Sequence, residues 1–251
     1  MALRRPAMAA ALLLLFSAAA EAGDGAALRV IGFSPDAARF AFEQFGAHDA
    51  SGFPYSQLAV IDTATGADAE GGPFSSLIEN DQADVAAAQT ATAVGARPVL
   101  ERLRIGTDGM VSAANPAIRP AEELLPMDIW PVMADEVAEM ELPISALGPG
   151  TVRITQRPAP NPFCARVERG EEATAITLTL TRAGGAPMTL HADGDLPPAR
   201  ICAAHYGIAG LYLHLRPDGA VALVVILSFY PRGFEGPDRR FLAFSARVPR
   251  G

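Results

Sequence analysis

The amino-acid sequence predicts a mainly β, α+β protein in which antiparallel sheets carry one long helix packed on a sheet, without a full propeller. Three observations carry that expectation. Short runs alternate apolar and polar residues with period two, sharply specified turns separate them, and one internal stretch switches to helical periodicity.

The first strands lie between Leu28 and Asp62, within a unit spanning residues 28–66. Leu28, Val30, Ile31 and Phe33 precede Ser34, Pro35 and Asp36. Proline presets the first corner of a type I turn there, and the Ser and Asp side chains can bond nearby amides. Phe40 and Phe42 then alternate with Arg39, Ala41 and Glu43, and Leu58 and Val60 repeat the period before Asp62, Thr63 and Gly66 end it.

Gly71, Gly72 and Pro73 break the chain, and Ser76 to Glu79 has the spacing of a capping box that opens a helical segment over residues 76–105. Ile78, Val85, Thr92 and Val99 recur every seven residues, thickened by alanines 86 to 88, so one face can lie on a sheet. Glu79, Asp81 and Asp84 near the start and Arg97, Arg102 and Arg104 near the end complement the helix dipole. Gly95 and Pro98 imply a kink or a break into two helices, and Gly106 a stop. Residues 107–131 read as a connection with a short helical turn around Ala121 to Leu125, and the only Trp, Trp130, as core filler beneath a loop.

Residues 132–248 read as an antiparallel β region. Candidate strands are Glu136 to Leu142, Thr151 to Gln156, Ala173 to Arg182, Pro187 to His191, Ile208 to Leu215, Ala220 to Tyr230 and Arg240 to Val248. Ala183 to Ala186 is a Gly-Gly hairpin and Arg216 to Gly219 an R-P-D-G turn. Val221 to Phe229 is the next most apolar segment after the N-terminal run, and its length suits a buried strand.

Arg4 and Arg5, the apolar run Met8 to Phe16, and Ala20-Glu21-Ala22 form a secretory signal over residues 1–22, so residues 23–251 are expected as one secreted, periplasmic β-rich domain. Loss of Arg4, Arg5 and Glu21 with the signal takes the formal charge from −8 to −9, and the chain contains no lysine. Such a balance disfavours nucleic acid and anionic membranes as partners, and no later run is long enough to span a bilayer. In an oxidising compartment Cys164 and Cys202 are expected as a disulfide, since neither has a His or Cys at metal-ligand spacing.

The Phe33-Ser34-Pro35-Asp36 turn with Ala41 and Phe42 resembles the strand-turn-strand repeat of TolB-like propellers, although Ala37 replaces the usual Gly. LHLRPDGAVALVV echoes it weakly, but the helix takes the room a ring of blades would need. Over most of the chain the sequence is similar to the bacterial predicted secreted proteins grouped as domain of unknown function 2259. Two stretches carry that resemblance, IGFSPDAARFAFEQFGAHDASGFPYSQLAVID and PRGFEGPDRRFLAFS. It implies export and brings no established activity, catalytic residues or cofactor.

G-x-S-x-G, H-E-x-x-H and P-loop patterns are absent, which disfavours nucleotide enzymes and common serine hydrolases. No cofactor and no metal site is expected. His48 and Asp49 in the Gly46 to Pro54 loop, with Glu43 and Tyr55 nearby, are one candidate binding group, unless they only form a solvated turn. The tight Gly233 to Arg240 loop is the other, through Phe234, Glu235, Asp238 and Arg239, unless Arg239 and Asp238 merely bond backbone and Phe234 caps the core. His191, Asp193 and Asp195 read as a polar hairpin tip rather than a calcium loop, and His214 as a strand residue facing water. The expected function is a non-catalytic interaction module for a periplasmic protein, peptide or glycan. The alternatives are a hydrolase in which Glu43, Asp49 and His48 converge, and a purely structural envelope protein.

Overall fold

The computed structural model describes residues 24–69, 71–116, 138–159, 173–194, 196, 202–231 and 238–250. Its elements are β1 (Ala27–Phe33), β2 (Arg39–Ala47), β3 (Pro54–Asp62), β4 (Phe74–Leu77), α1 (Val85–Leu103), β5 (Met110–Ala114), β6 (Glu139–Glu141), β7 (Gly150–Ala159), β8 (Ala173–Arg182), β9 (Met188–Ala192), β10 (Ala203–Leu215), β11 (Val221–Pro231) and β12 (Arg240–Val248). They form three antiparallel sheets of four strands, ordered β1-β2-β3-β4, β12-β11-β10-β5 and β6-β7-β8-β9.

The period-two pattern explains how these sheets stack. One face of the first sheet, with Ala41, Leu58 and Val60, packs on Ala96, Val99 and Leu100 of α1. Its other face sends Leu28, Phe40, Phe42 and Ile61 against Tyr212, Val224, Ile226 and Phe241 of the second sheet. The far face of the second sheet, with Leu211, Leu223, Val225 and Leu227, meets Val152, Ile154, Leu178 and Leu180 of the third. The order of layers is therefore helix, sheet, sheet, sheet. The middle sheet is covered on both sides, and β11 is buried at every position from Val221 to Pro231. Each Val, Leu or Ile so buried contributes about 2 kcal/mol of transfer free energy, and that is why its run carries no polar alternation.

The expected fold class holds, and the TolB-like repeat does not. The sheets stack face to face instead of standing as blades around an axis, and no propeller forms among the described residues. The Ser-Pro-Asp turn itself forms: Ser34 Oγ donates to Asp36 Oδ1 at 2.6 Å, the Ala38 amide donates to the same oxygen at 3.0 Å, and the Arg39 amide donates to Ser34 Oγ at 2.9 Å. Ala37 takes the left-handed position of the missing Gly, at φ 54°. The R-P-D-G turn packs beside it. Arg216 Nη1 donates to Ala37 O at 3.0 Å and to Thr63 Oγ1 at 3.1 Å, so the two echoed turns share one end of the molecule.

The helix start needs correction. Ser76 lies in β4, opposite Ser56, and the Ser76 to Glu79 capping box is not made. Pairing with the otherwise open edge of β3 outweighs local helix propensity there. The helix starts eight residues later, where the Asp84 carboxylate accepts the Ala87 amide at 2.8 Å. Pro98 sits inside one unbroken helix on its exposed side, where water can satisfy the carbonyl it leaves unbonded. Arg104 rather than Gly106 ends α1, at φ 51° and ψ 42°, with its amide on Glu101 O and the Ile105 amide on Leu100 O at 3.0 Å. Gly106 instead exchanges backbone hydrogen bonds with Phe33, at 2.8 and 3.0 Å.

Strand β5 is an addition: Met110–Ala114 is too short and too little patterned to read as a strand, yet it pairs with β10 along the edge of the middle sheet. The Ala121 to Leu125 turn and Trp130 lie outside the described residues. The remaining strands fall where the alternation places them, with β6 shorter and β7 and β10 longer than expected.

Candidate functional site

The site lies at the end of the first sheet where β2 leaves and β3 returns. Between them the chain makes a tight loop, with the His48 amide on Phe53 O at 3.0 Å and the Gly52 amide on His48 O at 2.7 Å. This stacks the His48 ring on the Tyr55 ring at 4.7 Å and 24°. Asp24, three residues before β1, holds the loop from below: its Oδ2 is 2.6 Å from His48 Nδ1 and its Oδ1 accepts the Asp49 amide.

The start of β12 enters from the middle sheet. Arg239 and Gly25 form a parallel bridge, and the Arg239 amide donates to Asp24 O at 2.8 Å. Arg240 donates through Nη1 to Asp24 O at 2.7 Å and through Nη2 to Asp24 Oδ2 at 3.0 Å. Its guanidinium also lies 5.3 Å from the centre of the Tyr55 ring. Asp238 Oδ1 accepts the Asp24 amide at 2.9 Å. Two groups that the sequence nominates separately, around His48 and around Asp238, are thus joined through Asp24. Sequence reading misses Asp24, because an Asp beside small residues has no local mark of a shared site, and it places Arg240 in the 233–240 loop without linking it to His48.

The electrostatics follow from this geometry. Burial alone would push the Asp24 carboxyl up, but the Asp49 amide, His48 and Arg240 together hold it below its ordinary value. Asp238 goes the other way: burial raises it, and the Asp24 amide and Arg240 offset only part of the rise. Burial pushes Tyr55 up to about 12, and its buried hydroxyl has no hydrogen-bond partner among the described residues.

Because the folded Asp24 carboxyl lies below its unfolded value, its contribution to stability is present above the unfolded pKa and is lost as pH falls through the folded one. Asp24→Asn is therefore expected to flatten the acid limb of the stability curve below about pH 4, read by urea midpoints at a series of pH values. An unchanged acid limb would mean that Asp24 is not held by these partners.

Glu43 does not join this group. It lies opposite Leu58 on the helix-facing side of the first sheet, fully buried, paired with Arg29, with Ser56 Oγ donating to its Oε1 at 2.7 Å. The convergence of Glu43, Asp49 and His48 is therefore not formed. Arg239 is buried as well, and its Nε donates to Ala26 O at 3.0 Å, so it fastens β12 to the chain entering β1. Phe234, Glu235 and Asp195 lie outside the described residues. His191 Nε2 is 2.8 Å from Asp193 Oδ1, and Asp193 Oδ2 accepts the Ile176 amide at 2.7 Å, which makes this pair a structural part of the β8–β9 edge. His214 is less open than expected, with its ring 5.5 Å from that of Phe33 and Nε2 2.9 Å from Asp108 O.

Cys164 lies outside the described residues, which contain no complete disulfide, and no free cysteine occurs among them. The pairing of Cys164 with Cys202 stands as a prediction: unreduced mature protein should yield no alkylated thiol by mass analysis, and two alkylated thiols would refute it. Among the described residues no three His, Cys, Asp or Glu are placed to hold a metal ion, and no helix is long and apolar enough to cross a membrane.

A family model described as "predicted secreted protein (DUF2259)" matches residues 41–247, most of the chain. The chain belongs to that family. No curated protein and no solved structure matches it. This DUF2259 protein is thus a predicted secreted protein of unknown function. The matched segment includes His48, Asp49, Tyr55 and Asp238 to Arg240, whereas Asp24, which ties them together, precedes it.

Proposed function

We propose that this DUF2259 protein is an exported periplasmic binding module without catalytic activity, engaging a protein, peptide or glycan through the end of the first sheet. The observation that carries this reading is the His48 ring: its side chain is 40% exposed, yet it is stacked on Tyr55 and fixed by Asp24. A rigid, partly exposed ring beside carboxylates and a guanidinium loses little freedom on binding, which favours recognition. The hydrolase reading loses its third group with Glu43.

The test is cross-linking and co-purification of the tagged mature protein from the periplasm of its own host, beside a His48→Ala, Asp49→Ala variant. Arg239 is unsuitable for such a variant, because its buried side chain holds the strand entry together. A reproducible partner lost in the folded variant supports the reading. Absence of any partner above background, or equal capture by both proteins, overturns it.

A further inference from the structure

A second feature occupies the opposite end of the first sheet, about 30 Å away by the length of β2. There the Ser34 to Ala38 turn and the last turn of α1 face each other across a cleft of about 520 Å³, with Pro217 at its side. Arg39 from the start of β2 and Arg102 and Arg104 from the end of α1 all line it. Arg39 is paired with Asp62 and Asp36 is the one lining carboxylate, so three arginines and two carboxylates leave this cleft about one charge positive in a chain of formal charge −8.

Two details separate this from ordinary surface charge. Arg39 is fixed in place, with Nη1 donating to Ala38 O at 3.0 Å and Asp62 Oδ2 at 2.7 Å, so one wall is preorganised. Arg104 sits at φ 51°, in the left-handed region where a helix end favours Gly, and it is exposed. An arginine there carries a backbone strain that Gly would relieve, and the side chain gained for that strain lines the cleft. The one carboxylate in the lining, Asp36, accepts from Ser34 Oγ and the Ala38 amide, which lower its pKa and keep it charged, so an anion is favoured toward Arg102 and Arg104 and away from the turn.

We propose that this cleft binds a phosphate group, carried by a soluble phosphate ester or by a lipid headgroup. A planar carboxylate accepts one guanidinium fork, whereas a tetrahedral oxyanion presents oxygens in several directions and suits arginines arriving from two elements. The site is independent of the His48 surface, and its variants leave that surface untouched.

The experiment is calorimetric titration of the mature protein at low salt with inorganic phosphate, with glycerol phosphate, and with phosphatidylcholine vesicles containing phosphatidic acid. Wild type should bind phosphate saturably. Arg104→Gly should weaken binding about tenfold or more while raising the thermal midpoint, since it removes a charged donor and the left-handed strain together. Arg102→Ala should weaken binding without that rise. Vesicle binding competed by phosphate would identify a lipid source, and binding of the soluble ester alone a soluble one. Absence of saturable binding to all three ligands, or equal binding by wild type and both variants, would overturn the proposal.

Discussion

Replacing Arg29 with Met is expected to lower stability by about 3 kcal/mol, among the largest single effects on this chain. The Arg29 guanidinium reaches the Glu43 carboxylate across β1 and β2, where Glu43 is fully buried against the helix-facing side of the sheet. The pair itself gives modest net stability, because desolvation consumes much of its attraction. Removing one partner is another matter, since a buried carboxylate then loses its counter-charge and retains only Ser56 Oγ. Arg29 is 36% exposed, so the loss should lie at the lower end of the range for buried pairs. Urea unfolding should show the shift as a lower midpoint with unchanged slope. The double variant Arg29→Met, Glu43→Leu should recover more than half of the loss. A wild-type midpoint for Arg29→Met alone would show that water already solvates Glu43.

Gly32→Ala is expected to be comparably damaging, by about 3 kcal/mol or more, from crowding and backbone strain together. Gly32 has φ +123° at the irregularity between Val30 and the end of β1, and a Cβ there would lie 1.9 Å from Gly106 O. Backbone on both sides must move to make room, breaking the two hydrogen bonds between Phe33 and Gly106. Gly71→Ala is the control: its φ is +79° but nothing lies within 4 Å, so only the conformational cost of about 1 kcal/mol remains. Equal midpoints for the two variants would remove the packing argument.

The strands were legible because each carries its own period. Ala173 to Arg182 alternates Ile176, Leu178 and Leu180 with threonines and appears in the fold with those limits. The Gly-Gly and R-P-D-G turns were legible for a related reason: the left-handed Gly184 and Gly219 are fixed by local chemistry alone. The helix start was not, because Ser76 can cap a helix or extend a sheet, and β3's need for a partner is a fact about distant residues. The same holds for the candidate site. His48 and Asp238 could be nominated one by one, but their meeting depends on Asp24, 214 positions from Asp238. Glu43 failed in the opposite way, being near His48 in sequence but directed to the helix-facing side of the sheet by the pleat.

The double burial of β11 also governs the order in which the protein can acquire structure. Both outer sheets rest on the middle one, whose strands β10, β11 and β12 occupy residues 203–248. During synthesis the outer sheets are therefore made before the surface that each must cover exists, and their inner faces stay wet until the last strands emerge. Until residues 203–248 arrive, those open apolar faces and unpaired strand edges are exposed to aggregation.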